Sequence, residues 1–151
     1  MGVVQVREWM AADLDAVLDL YVQLAEDRPE SQPASRLAAE AILSSIAAQP
    51  GRTLLVALVD DSVVGTADLL LVPNLTHHGM AWAIVENVVV DQHSRRAGVG
   101  RALMEEVVER CRRADCYKIQ LLSREHRTSA HVFYEGLGFQ PSAKGFRLYL
   151  A

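Results

Sequence analysis

The stretch Val88-Val89-Val90-Asp91-Gln92-His93-Ser94-Arg95-Arg96-Ala97-Gly98-Val99-Gly100-Arg101-Ala102-Leu103 constrains this chain more than any other. An apolar run ends, a polar loop follows with two glycines two apart, and a helical pattern begins. The first N–H groups of such a helix lack intrahelical partners and carry the positive end of its dipole. Gly98 and Gly100 put no Cβ in front of them, so a phosphate can approach closely. Arg95, Arg96 and Arg101 add formal positive charge at the same point. Pyrophosphate binding is the chemistry this implies. A dinucleotide fingerprint would need a third glycine where Leu103 stands, and a P-loop would need Lys-Ser/Thr after Gly100, where Arg101 stands.

Composition bounds the rest. A chain of 151 residues, half of them apolar, suits one domain with a sizeable core. Its net charge of −4 argues against a nucleic-acid binder, and no apolar run approaches the roughly 20 residues of a membrane span. The opening residues carry Arg7 and Glu8 without an apolar core, so no signal peptide is expected, and Val6 stands where a myristoylation signal needs Ser or Thr. Cys111 and Cys116 alone build neither a disulfide scaffold nor a zinc site, so no metal is expected. A soluble cytoplasmic domain remains. The charge is unevenly spread: four arginines face twelve acids in residues 1–90, while eleven Lys and Arg face seven acids in residues 91–151. The second half suits a polyanionic ligand and the first a cationic one.

The periodicities predict one mixed α/β domain over 1–151 in the order β-α-α-β-β-β-α-β-α-β. Residues 3–7 read as a strand. Asp13 caps a helix carrying Leu14, Val17, Leu18 and Tyr21 at helical spacing, and Ser35 caps a second that Pro50-Gly51 ends. Residues 53–59 and 62–71 form a hairpin through Asp60-Asp61. A loop over 73–79 holds His77 and His78. Residues 81–90, nearly all apolar, read as a strand buried on both faces. A helix over 99–114, a buried strand over 117–122, a short helix over 128–136 and a last strand over 146–150 complete the chain.

Arg95-x-x-Gly98-x-Gly100 resembles the Q/R-x-x-G-x-G/A signature of the GNAT superfamily of N-acetyltransferases, and it falls in the same place, between the fourth strand and the third helix. Ala130-His131-Val132-Phe133-Tyr134-Glu135-Gly136-Leu137-Gly138-Phe139 resembles the family's second signature, a helix ending in a Y-E-x-x-G-F segment. The order of elements matches over essentially the whole chain. The resemblance implies acetyl-CoA as cofactor, its pyrophosphate on the N–H groups of Arg96, Ala97, Gly98, Val99, Gly100 and Arg101, with Arg95 and Ala102 beside them. It implies a pantetheine arm pairing like a strand with Val88, Val89 and Val90, where the fourth and fifth strands splay. Tyr134 matches the family's frequent general acid. Two positions depart: Arg96 replaces the commonest glycine, and Arg127 stands where many members have an asparagine near the pantetheine. Arg127 or His131 would then approach phosphate oxygens instead.

Amine acetylation needs a neutral amine, so a base must take a proton. Glu86 is the one charged residue in the apolar run 81–90, where burial would raise its pKa, and family members often carry a carboxylate base on this strand. His77 and His78 are alternate bases. Strand parity puts Trp82, Ile84, Glu86 and Val88 on one face and Asn87 on the other, so Trp82 would line the substrate side. The family draws its acceptor pocket from the segment joining the first two helices, here Tyr21, Glu26, Asp27 and Arg28; Glu26 and Asp27 suit a cationic acceptor. The expected activity is acetyl transfer from acetyl-CoA to a primary amine by direct attack in a ternary complex. A non-catalytic acyl-CoA-binding module on the same fold, or a nucleotide-binding domain unrelated to CoA, are the alternatives. Family members are often dimers, so a homodimer is among the expectations.

Overall fold

Asp60 and Asp61 turn the chain between two long antiparallel strands with φ of +48° and +62°. Two successive left-handed residues give the hairpin turn whose twist matches the strands, and aspartate tolerates that conformation. Around this hairpin a computed structural model, which describes residues 2–26 and 28–150, builds a five-stranded sheet. The strands are β1 (Gln5–Glu8), β2 (Arg52–Val59), β3 (Ser62–Val72), β4 (Trp82–Val90) and β5 (Lys118–Gln120), neighbours in that order. The first three pairings are antiparallel and the last is parallel. The helices are α1 (Leu14–Ala25), α2 (Arg36–Ala48), α3 (Val99–Arg113) and α4 (Thr128–Gly136).

The chain forms two compact units, residues 1–120 and 121–151. In the first, α1 and α3 cover opposite faces of the sheet. Val17 of α1 packs with Val56 and Leu58 of β2, and Trp9 and Tyr21 lie against that cluster. On the other face, a Cβ built on Gly65 would lie 2.9 Å from Val99 and 3.1 Å from Leu103, so α3 presses its first turn directly onto β3. Val99, Leu103, Met104, Val107 and Cys111 form the buried stripe of α3. In the second unit, α4 buries no residue completely.

Three expectations need correction. Asp13 does not cap α1; it closes a short 3-10 turn, Ala11–Asp13, and its carboxylate accepts from Arg7 at 2.7 and 3.0 Å and from the Met10 N–H at 2.6 Å. The strand expected over 117–122 is only three residues long and half exposed. No strand forms over 146–150, where Phe146, Leu148, Tyr149 and Leu150 are all exposed. An alternating apolar pattern gives a segment strand character, but a ladder needs a neighbouring edge in register, and among the described residues none pairs with this segment.

Candidate active site

Strand β4 carries the defect around which the site is built. Thr66 pairs with Val89 and Asp68 with Glu86, so Asn87 and Val88 together oppose the single Ala67. This is a β-bulge, and Asn87 takes φ +51° to make it. The extra residue changes the parity on which the sequence reading relied. Directly paired residues share a face, so Trp82, Ile84 and Glu86 do lie on one face with Asp68 and Leu70. Beyond the bulge that face continues through Val89, not Val88. Asn87 also belongs to it, lining a cavity against α1 and α2, which corrects its placement on the far face.

The parallel pairing of β4 with β5 ends at Ile84 and Gln120. Strand β4 runs on to Val90, so among the described residues its edge over 85–90 has no strand beside it. Those backbone groups are available to an extended ligand in the way an edge strand accepts another strand.

The chain leaves β4 through a turn held from both sides. Asp91 accepts from the His93 N–H at 2.9 Å and opens the 3-10 turn Gln92–Ser94. Gln23 of α1 clasps the same turn: its side-chain amide donates to Asp91 at 2.8 Å and accepts from the Gln92 N–H at 3.0 Å. The Gln23 bond, more than the backbone bonds, holds the Asp91 carboxyl below its usual range against the opposing effect of burial. Arg96 then takes φ +62° and Gly98 φ +80°, and α3 starts at Val99. Left-handed residues alternating with others turn successive N–H groups into one concavity that binds anions. The first helical bond runs from Ala102 to the Gly98 carbonyl, so the N–H groups of Val99, Gly100 and Arg101 lack that kind of partner. A Cβ on Gly98 would meet nothing within 4 Å, which leaves its dihedral as what demands glycine. Arg95 and Arg96 are exposed, and among the described residues no carboxylate pairs with either; Arg101 reaches Glu105 only at 4.0 Å. The loop thus has the left-handed backbone and the open helix start expected of it, with Arg96 in the left-handed position where the family usually has glycine.

Glu86 is exposed, contrary to the expected burial. Its direct neighbour Asp68 is buried and committed to Arg52, with contacts of 2.6 and 3.0 Å. Two carboxylates thus sit side by side on one face, one neutralised and the other open. Among the described residues no cation pairs with Glu86.

The other expected residues divide by place. Tyr21 faces the cavity beside Asn87, and burial, then the Asp68 charge, push its hydroxyl up to about 12. Trp82 sits four residues before Glu86, about 13 Å along the strand, with the Lys118 ammonium 5.4 Å from its ring. His77 stacks on Tyr117 at 3.8 Å, and His78 follows it in an exposed 3-10 turn. Glu26 is exposed at the end of α1, and Asp27 lies outside the described residues. Arg127 and Tyr134 belong to the second unit. There Arg127 starts α4, and the His131 ring donates to the Arg124 carbonyl at 2.9 Å.

The Y-E-x-x-G-F segment has a physical explanation within that unit. Gly138, at φ +94°, sends its N–H to the Glu135 carbonyl at 2.9 Å, and Phe139 sends its N–H to the Tyr134 carbonyl at 3.1 Å. The Phe139 ring meets the edge of Tyr134 at 5.7 Å. These are the paired bonds and apolar contact of a Schellman helix end, and they fix the backbone at Tyr134.

Residues 14–139 match the family model described as Acetyltransferase (GNAT) family. The chain belongs to this family. A curated glucosamine 6-phosphate N-acetyltransferase of Trypanosoma brucei brucei is 41% identical over 86 residues. That match covers 57% of this chain and 56% of the relative, so it spans little more than half of that protein. A solved structure from Agrobacterium tumefaciens str. C58, assigned as an acetyltransferase, shares 36% identity at a TM-score of 0.89, covering 96% of this chain and 99% of that one. An acetyltransferase of Trypanosoma brucei shares 31% at 0.83, covering 98% and 100%. Both structures cover nearly the whole chain, so the likeness extends over the fold as a whole.

The residues missed from sequence are Asn87, Gln23 and the Arg52–Asp68 pair. A carboxylate inside the apolar run of β3 was a readable signal for the last, since a buried charge needs a partner. Nothing in a sequence pattern distinguishes a bulge asparagine from an ordinary strand residue.

Proposed function

We propose that this chain is an acetyl-CoA-dependent N-acetyltransferase acting on a primary amine by direct attack in a ternary complex. The observation that carries the reading is continuous: the unpaired edge of β4 over 85–90 leads directly into an N–H concavity flanked by arginines. One side of the ligand is served by strand-like pairing and the other by an anion site, which fits a long molecule with a pyrophosphate. The backbone of Val88, Val89 and Val90 would hold the pantetheine. The N–H groups of residues 96–101, with Arg95 and Arg96, would hold the phosphates, and Ala102 and Arg127 belong to the same expected set. When bound, acetyl-CoA supplies the acyl group as a thioester.

The chain's own groups do the remaining work. A backbone N–H at the bulge, near Val88, would donate to the carbonyl oxygen as charge develops there. Glu86 would accept the amine proton through a water, since its carboxylate is open while its neighbour Asp68 is neutralised by Arg52. The Tyr134 hydroxyl would donate a proton to the departing sulfur. Tyr21, Glu26, Asp27 and Trp82 remain the acceptor residues expected from the sequence, and among them the geometry favours Tyr21. The family match spans both compact units, which supports treating them as one catalytic domain. The thiols of Cys111 and Cys116 suit a reducing compartment, and we assign the cytoplasm. The exposed apolar residues of 146–150 support a homodimer.

The test joins calorimetry with CoA to a thiol-release assay over a panel of amines. Glu86→Gln and Tyr134→Phe are expected to lower kcat by about 10²-fold or more with CoA affinity unchanged. Full rates in both variants would remove the assigned roles. CoA binding without turnover of any amine would make the chain a binding module instead.

A further inference from the structure

We propose that the cavity between α1, α2 and the sheet is the acceptor's side-chain pocket, and that it takes an amine bearing one aromatic ring or a branched aliphatic group of similar size. The inference rests on the acyl-transfer reading above and narrows its acceptor.

Size is the first reason. The cavity measures about 130 Å³. An apolar cavity of roughly 150 Å³ is known to stay dry and admit benzene, so one ring or a branched chain fills this space and a sugar ring with its phosphate overfills it. Lining chemistry is the second. Leu18, Leu43 and Ile46 make its helical wall, and among the described residues the only ionisable groups lining it besides the Tyr21 hydroxyl are Arg52 and Asp68. That pair is closed on itself, with contacts of 2.6 and 3.0 Å. A distal ammonium or phosphate entering here would lose its water and find no free counter-charge. An apolar group loses nothing by entering and gains contact.

Position is the third reason. Asn87 belongs both to the cavity wall and to the bulge, and it adjoins Glu86 in the chain. Asn87, Ala34 and Ile42 are exposed while Leu54 and Asp68 are buried, so the cavity closes over the sheet and opens away from it, with the bulge at its rim. A ring held inside would leave its amine at that opening, beside the Glu86 carboxylate. The acidic groups of α1 and α2 do not contradict this. Asp15 and Glu40 are exposed and share Arg36, Asp19 is exposed as well, and none of the three lines the cavity.

The test uses the full chain with acetyl-CoA and matched amines. Ring-bearing and branched amines are expected to exceed unbranched amines with a second terminal charge by about tenfold or more in kcat/KM. Ala39→Leu puts a branched side chain into the cavity from α2. It should raise KM for ring amines about tenfold, with the CoA affinity unchanged. Leu43→Ala enlarges the cavity and should shift preference toward two-ring amines, and with the wild-type series it decides the matter if Ala39→Leu does not fold. Preference for polyamines or sugar phosphates, or a folded Ala39→Leu with unchanged KM for ring amines, would overturn the pocket and leave acyl transfer standing. Absence of CoA binding to the wild-type chain would overturn acyl transfer itself, and the pocket with it.

Discussion

At the scale of single residues, an acidic side chain's role here depends on which donors reach it. Asp13 occupies a helix-start position and its type is right for a cap, yet Arg7 takes its carboxylate in a two-point contact and the Met10 N–H takes the rest. The Arg7 hydrogen bond holds the Asp13 carboxyl below its ordinary value, outweighing the opposite push of burial. A depressed folded value means that the charged form is favoured in the native state. Its stabilisation is therefore present above the unfolded value of about 4 and is lost as pH falls through the depressed folded value. Asp13→Asn is expected to cost about 1–3 kcal/mol near neutral pH. The gap between wild type and variant should close in acid, which urea unfolding at stepped pH would measure. Glu86 and Asp68 show the same dependence at the site: they are neighbours across two strands, but Asp68 is buried and paired with Arg52 while Glu86 is exposed.

At the scale of elements, two local backbone devices set the geometry, and they differed in how readable they were. The end of α4 was readable because a Schellman closure has a sequence form, a glycine one residue past the cap followed by an apolar residue that folds back. Gly138 at φ +94° is where an L side chain is strained. Gly138→Ala should destabilise the second unit by about 1 kcal/mol, read as a lower thermal midpoint and as faster amide exchange at Phe139. The bulge in β4 was not readable. Period-two counting assumes that every residue advances the ladder, and Asn87 does not. One uncounted residue moved Val88 off the expected face and brought Asn87 onto it. The short β5 has a similar cause: its sequence supports six strand residues, but β4 pairs with only three of them before its edge runs free.

At the scale of the whole chain, the uneven charge acquires a partial explanation. Many of the acids and arginines are used internally, as in Arg7–Asp13, Arg52–Asp68 and the pairing of Arg110 with Glu8 and Glu106. Arg95 and Arg96 pair with no carboxylate among the described residues, and they flank the N–H concavity at the start of α3. CoA affinity should therefore fall about threefold or more between about 50 mM and about 200 mM salt, as exposed charges are screened. Arg96→Ala should flatten that slope while leaving the chain's melting point within about 1 °C, since an exposed left-handed arginine contributes little packing. Titration calorimetry at two salt concentrations checks both.

By itself, the sequence determined most of the elements and the left-handed turn into α3, because periodicity, glycine placement and helix-start chemistry are local and act over a few residues. It also determined the family, through two motifs that fold as local structures: a helix start and a helix end. Only the tertiary structure decided which face each residue of β4 presents, which carboxylate is neutralised, and what cavity lies against Asn87. Those outcomes depend on strand register and on Arg52, Asp68 and Gln23 meeting partners distant in the chain. The segment 146–150 marks the same boundary from the other side. Its pattern is that of a strand, and pairing is a property of two edges, only one of which a segment carries.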